Sequence, residues 1–196
     1  MNGIKLYIRI LTAFLLLLST GLAEAKEPLT LDALMSARQQ VKSSSAKFTE
    51  RRTLSILDQP LESSGTLRFV APNRLEKHTL APHEEHLVMN GDEITVNQGT
   101  GKPRSFKLAD SPEMSALIES IRGTLAGDAA ALGRYYVVQI QGTEQAWQLL
   151  LTPKLPKVQA LVDSIRIAGG GREIHTVETV EHGGDHTVMT ITETGP

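Results

Sequence analysis

The chain contains no cysteine. That absence excludes disulfides, thiolate metal sites and cysteine nucleophiles, and it leaves no residue to be acylated in the manner of a lipoprotein. Charge of one sign is lacking too: 20 basic residues stand against 22 acidic ones, far from the basic balance of a general nucleic-acid binder. Missing as well are the signatures of covalent and phosphate chemistry. No serine sits in a Gly-x-Ser-x-Gly elbow, and no ordered Ser, Asp and His set is present. The run Gly169-Gly170-Gly171 has neither the lysine nor the Ser/Thr of a phosphate loop and reads as a turn.

The histidines are the nearest thing to a metal motif. His78, His83 and His86 lie close together, with Glu84 and Glu85 between the last two. A helical zinc motif needs two histidines one turn apart, and here the spacing is one residue short. Pro82 opposes a helix, and on a strand His83 and His86 would face opposite ways. These histidines, like His175, His182 and His186, read as solvated, and so do Glu84 and Glu85. No catalytic residue, metal or cofactor is expected.

At the N-terminus, Lys5 and Arg9 flank the start of an apolar block from Ile10 to Leu18, which leads to Leu22-Ala23-Glu24-Ala25. That is the order of a secretory signal peptide, with small residues where a signal peptidase reads. The apolar block is about half the roughly 20 residues that cross a bilayer. Residues 1–25 are therefore expected to be removed and Lys26 to begin the mature protein. Removing Lys5, Arg9 and Glu24 leaves a net charge of about −3. A periplasmic location follows from export, and residues 26–196 read as one domain large enough to hold its own core.

A first helix is expected from Leu31, Leu34, Met35 and Val41, with Thr30 as N-cap, ending in the serine run Ser43 to Ser45. Short alternating runs follow: Phe48 leading into Thr53 to Leu57, then Ser64 to Val70, Arg74 to Leu80, Glu85 to Met89 and Ile94 to Val96. Asn90-Gly91 between two apolar runs is a hairpin signal. In such a meander one face looks to solvent, and Arg68, Lys77 and Glu93 are assigned to it. A second helix is clearer. Met114, Leu117, Ile118 and Ile121 share one face, Ser111 caps it, Pro112 opens it and Gly123 closes it. A short third helix is expected around Ala129 to Leu132. Strands then resume over 135–141, 146–152, 161–168, 172–181 and 187–192. The fold class is α+β, built on one large curved antiparallel sheet.

Three segments together resemble the LolA family of outer-membrane lipoprotein carriers. Phe48-Thr49-Glu50-Arg51 follows the first helix, and Gly65-Thr66-Leu67-Arg68-Phe69-Val70-Ala71-Pro72-Asn73-Arg74-Leu75 is similar to that family's strand-and-turn. Asn90-Gly91-Asp92 resembles its hairpin, and Leu149-Leu150-Leu151-Thr152-Pro153-Lys154 its Leu-Thr-Pro segment. The resemblance implies an incomplete β-barrel capped by helices, with an apolar cavity for acyl chains. It also implies a monomeric periplasmic carrier whose partners are an acylated lipoprotein or other lipid cargo, an inner-membrane export machine and an outer-membrane acceptor. One departure stands out: the family's pre-proline arginine is Ala71 here, which points to a divergent member and to another cargo such as an acylated glycolipid or pigment lipid. Arg68 and Arg74 are the replacements expected at the cavity mouth, Arg74 first.

The resemblance implies that the cavity is lined by Leu67, Phe69, Trp147 and Leu149 on the sheet and by Met114, Leu117, Ile118 and Ile121 on the helix; read without it, the same apolar residues make an ordinary filled core. Val88, Ile94, Val96, Val162, Ile165, Ile174 and Val188 are expected on the same inner face. A periplasmic lipid sensor of related fold, and after it a lipid-processing enzyme, are the alternatives to a carrier.

Overall fold

The computed structural model describes residues 28–99 and 101–195; the expected signal peptide and its cleavage point lie outside them. The chain order is α1 (Leu31–Gln39), β1 (Ser43–Thr53), β2 (Leu61–Val70), β3 (Arg74–Ala81), β4 (Glu85–Asn90), β5 (Glu93–Gln98), β6 (Arg104–Lys107) and a 3₁₀ turn (Leu108–Asp110). There follow α2 (Pro112–Ala126), α3 (Ala129–Tyr135), β7 (Tyr136–Thr143), β8 (Ala146–Pro153), α4 (Pro156–Gln159), β9 (Val162–Gly170), β10 (Glu173–Glu181) and β11 (His186–Gly195).

The strands form one antiparallel sheet in the order β6-β5-β4-β3-β2-β1-β11-β10-β9-β8-β7. Each half of the chain is a meander, and the two halves join where the first strand pairs with the last, with Phe48 opposite Ile191. The outer edges, β6 and β7, are far apart in this order. They are linked by the segment 108–135, so the single long connection carries α2 and α3 from one edge across to the other. This is the α+β architecture of an open, helix-covered sheet, as expected.

Local signals set the helices. The Thr30 hydroxyl accepts from the Ala33 amide at 3.2 Å and caps α1. Ser111 caps α2 through the Met114 amide at 3.3 Å, with Pro112 at the first helical position. Helix α2 does not stop at Gly123 but runs to Ala126, and Gly127 ends it in the left-handed conformation at φ 70. Gly123 instead sits inside the helix, where a Cβ would lie 3.0 Å from the Leu132 side chain of α3. Gly127 is doubly constrained, because a Cβ there would also come within 2.3 Å of the Met35 carbonyl of α1. Glycine is the residue that allows both the turn and this approach.

Other boundaries differ from the sequence reading. The serines Ser43 to Ser45 open β1 rather than closing α1, because pairing with Val70, Phe69 and Arg68 of β2 claims their backbone. The segment 54–60 is a loop, so the strand lies before Leu54 and not over Thr53 to Leu57. Strand β6 has no apolar alternation and was missed; it is held by backbone pairing of Arg104 to Lys107 with β5.

The inner, helix-covered face follows from the register. Phe48 pairs with Gly65, Leu67 with Lys77, and Leu87 with Val96. Directly paired residues share a face, so Lys77 is inward and not on the solvent face. Val88 and Val188 alternate with the inward Leu87 and Met89 and with Thr187 and Met189. They belong to the outer face, a one-residue error that turns a strand side chain over. The main core lies at the β7–β10 side, where Leu34 and Met35 of α1 pack with Leu132, Tyr136, Trp147, Leu149, Leu151, Ile165 and Ile167. A smaller cluster, Met89, Ile94 and Leu108, lies beyond α2 and is covered by Ile118.

Candidate functional site

Between the inner face and α2 lies a cavity of about 600 Å³. Its walls are largely apolar: Leu67, Phe69, Leu75, Leu87 and Met89 from β2 to β4, and Ile165, Ile167, Ile174, Val177, Met189 and Ile191 from β9 to β11. Leu117, Ile118, Ile121 and Leu125 of α2 form the cover. The cavity exists because α2 bridges two separate clusters rather than settling into either. At its N-terminal half the Tyr136 hydroxyl donates to the Ala116 carbonyl at 2.9 Å. At its C-terminal half Arg122 donates to the Gly91 carbonyl in the β4–β5 turn at 3.1 Å and pairs with Glu119. The helix is held at both sides over the seam where the half-sheets meet. Burial raises the Tyr136 phenol to about 12, with a hydrogen bond to Ser120 partly opposing the rise.

Of the expected lining residues, Leu67, Phe69, Leu117, Ile118 and Ile121 are brought together on this cavity. Met114 is not: it sits in the first turn of α2 and is 40% exposed. Trp147 and Leu149 are on the inner face but lie in the packed core, Leu149 with no exposure and Trp147 donating its indole N–H to the Gly171 carbonyl at 3.0 Å. They sit beneath α1 and α3, where helix packing leaves no gap. Arg74 is exposed, pairs with Glu76 at 2.8 Å and is not a lining residue. Arg68 borders the cavity, although its alternation with Leu67 and Phe69 turns its side chain to the exposed face.

The polar residues of the cavity were not found from the sequence. Toward the end of the sheet where β1 leads into the 54–60 loop, Lys77 meets Glu50 at 2.9 Å and lies over the Phe48 ring at 4.9 Å. Ser63 also donates to Glu50 at 3.3 Å, and Glu181 pairs with Arg52 at 3.1 Å. At the opposite end, under α1, Glu193 and Ser44 line the cavity. Behind them is Arg38, with 0% exposure, donating to the carbonyls of Arg172 and Leu125. Burial pulls the Arg38 guanidinium down from its ordinary value while Glu193 opposes the change. Burial likewise pushes the Glu193 carboxyl up, against the pull of Arg38.

The histidines are dispersed on the outside. His78 and His86 are opposite each other on β3 and β4, and His78 contacts Glu84 at 3.1 Å. His182 meets Asp163 at 2.9 Å, and His186 meets Glu178 at 2.7 Å. Among the described residues no three His, Cys, Asp or Glu side chains are grouped so as to hold a metal ion.

A family model described as outer membrane lipoprotein carrier protein LolA-like matches residues 23–193. The chain belongs to this LolA-like family. An outer-membrane lipoprotein carrier protein of Pseudomonas paraeruginosa is 20% identical over 185 residues, spanning 92% of this chain and 84% of that protein. Among solved structures, a LolA superfamily protein from Nitrosomonas europaea aligns with a TM-score of 0.42 at 10% identity, covering 84% of this chain and 92% of that one. A putative outer membrane lipoprotein-sorting protein domain from Vibrio parahaemolyticus aligns at 0.44 and 9%, covering 84% and 90%. Among the described residues of this LolA-like chain, no helix is long and apolar enough to cross a membrane.

Proposed function

We propose that this LolA-like protein is a periplasmic carrier that takes acyl chains of lipoproteins or related lipids into the cavity beneath α2 and moves them from the inner to the outer membrane. The observation that carries the reading is the unfilled apolar space of about 600 Å³ between α2 and the seam of the sheet. A filled core would need no such space, because protein interiors close to near-crystalline density. Each methylene of a chain placed there gains about 0.8 kcal/mol, so a dozen of them hold the cargo without any fuel spent in the carrier. The family name, which specifies a carrier and not an enzyme, supports the same reading. Its partners are then the acylated cargo, an inner-membrane export machine and an outer-membrane acceptor, with the protein acting as a monomer after removal of residues 1–25.

The position of the charged residues suggests how a cargo would be oriented. Glu50 and Lys77 are polar and partly exposed, so the head group is placed at that end, with the chains running toward α1. Arg68 and Arg74 stand at the other end of the sheet, level with Ser45 and Ser43, and are not assigned to the head group. Mass spectrometry of lipids extracted from protein purified from its native periplasm tests the proposal. Acylated lipid is expected at a fixed ratio to protein; protein that is lipid-free and does not bind a fluorescent fatty acid would rule the carrier reading out.

A further inference from the structure

Three glutamates on the inner face line the cavity, and two are neutralised by a neighbour: Glu50 by Lys77 and Glu181 by Arg52. Glu193 is in no ion pair among the described residues. It feels Arg38, Glu173 and His175 only through their charge, and its one close donor is the Ile174 amide. A carboxyl facing an apolar cavity without a matched partner is costly, and such a group is retained where a ligand or a network completes it. A second observation lies behind it. Arg38 has no exposure, uses its terminal nitrogens on two backbone carbonyls, and leaves its Nε with no partner. The end of the cavity under α1 is thus polar and incompletely satisfied, while the wall between it and the Glu50–Lys77 end is suited to bare hydrocarbon.

Taking the acyl-cavity reading as its basis, we propose that Glu193, with Ser44 diagonal to it on β1, one inward position beyond its partner Ala46, is a second recognition point that receives a hydroxyl group carried on the inserted chain. A hydroxyl both donates and accepts, so it can donate a hydrogen bond to the Glu193 carboxyl and accept one from the Ser44 hydroxyl. Plain methyl-ended chains leave both unsatisfied. The distance suits a chain entering from the Glu50 end: Ser44 and Glu50 are six residues apart on β1, roughly 20 Å at about 3.4 Å per residue. Arg38 serves as a positioning residue, holding charge behind Glu193 without reaching the ligand.

The test is displacement of a fluorescent fatty acid from delipidated protein by matched pairs of lauric, myristic and palmitic acids, each with and without a terminal hydroxyl. At one length of the series the hydroxylated chain is expected to bind about tenfold more tightly, the worth of one hydrogen bond to a charged group. E193Q is expected to keep a preference, since its amide oxygen still accepts, and E193L to lose it. S44V leaves the Glu193 carboxyl in place and serves should the leucine variant not fold; it is expected to lessen the preference. No preference at any length in the wild type, or an unchanged one in E193L or S44V, overturns the inference while plain-chain binding leaves the carrier reading standing. Failure of every chain to displace the probe overturns both.

Discussion

Leu149 and Leu117 face each other's territory across the inner side of the sheet, and truncating each to alanine should have opposite consequences. Leu149 has no exposure and is surrounded by the main core, among Trp147, Leu151 and Ile167. Leu149→Ala removes three heavy atoms from a packed site that cannot collapse onto them, which costs about 3 kcal/mol. For a chain of this size that lowers Tm by roughly 6–12 °C. Leu117 lines space that is already empty on one side. Its truncation forfeits fewer contacts and creates little new void, so Leu117→Ala should cost about 1 kcal/mol. Binding should divide the other way. Leu149→Ala should leave the affinity for a fluorescent fatty acid within about twofold, while Leu117→Ala should change it, and Leu117→Trp, which fills the cavity, should reduce it by about tenfold or more with little loss of Tm. Thermal unfolding beside a binding titration measures both. Equal destabilisation by the two alanine variants, together with binding unaffected in Leu117→Trp, would refute the distinction between filled core and open cavity.

Ile118→Asp places a carboxylate where α2 meets Met89, Ile94 and Leu108; it should cost several kcal/mol and weaken fatty-acid binding, as calorimetry and titration would show. Tyr136→Phe removes the hydrogen bond to the Ala116 carbonyl and should lower stability by about 1 kcal/mol, and an alkaline absorbance titration should lose the one phenol that burial pushes up to about 12. Glu193 has a carboxyl raised by burial, with Arg38 opposing and Glu173 reinforcing the rise. A group raised in the folded state gives stability that is complete below its unfolded value and is lost as pH rises through the folded one. Chemical denaturation from about pH 4 upward should therefore show a loss of stability in the wild type that E193Q lacks.

Much of the architecture is written in local chemistry. Thr30 and Ser111 cap their helices because a hydroxyl next to a helical run satisfies free amides, a matter of a few adjacent residues. The Asn90-Gly91 turn, the alternating strands and the i, i+3, i+4, i+7 stripe on α2 are legible for the same reason, and so are eight of the residues on the cavity wall: Leu67, Phe69, Leu117, Ile118, Ile121, Val162, Ile165 and Ile174. What periodicity does not carry is which of two faces a strand presents, where one packed layer stops, and how charges meet across strands. Val88 and Val188 read as inward until register set them out, and Lys77 read as solvated until pairing with Leu67 turned it in beside Glu50 and Phe48. Arg38 lies seven residues after Leu31, on the buried stripe of α1, which was a usable signal, but an arginine in that place is explained only by the carbonyls of Arg172 and Leu125 that approach it from afar. Trp147 and Leu149 share a face with the cavity and are separated from it only by where α1 and α3 sit. A filled core and an open cavity use the same apolar alphabet, so their boundary is decided by how far α2 stands from the sheet, and that distance is set by contacts between residues remote in the chain.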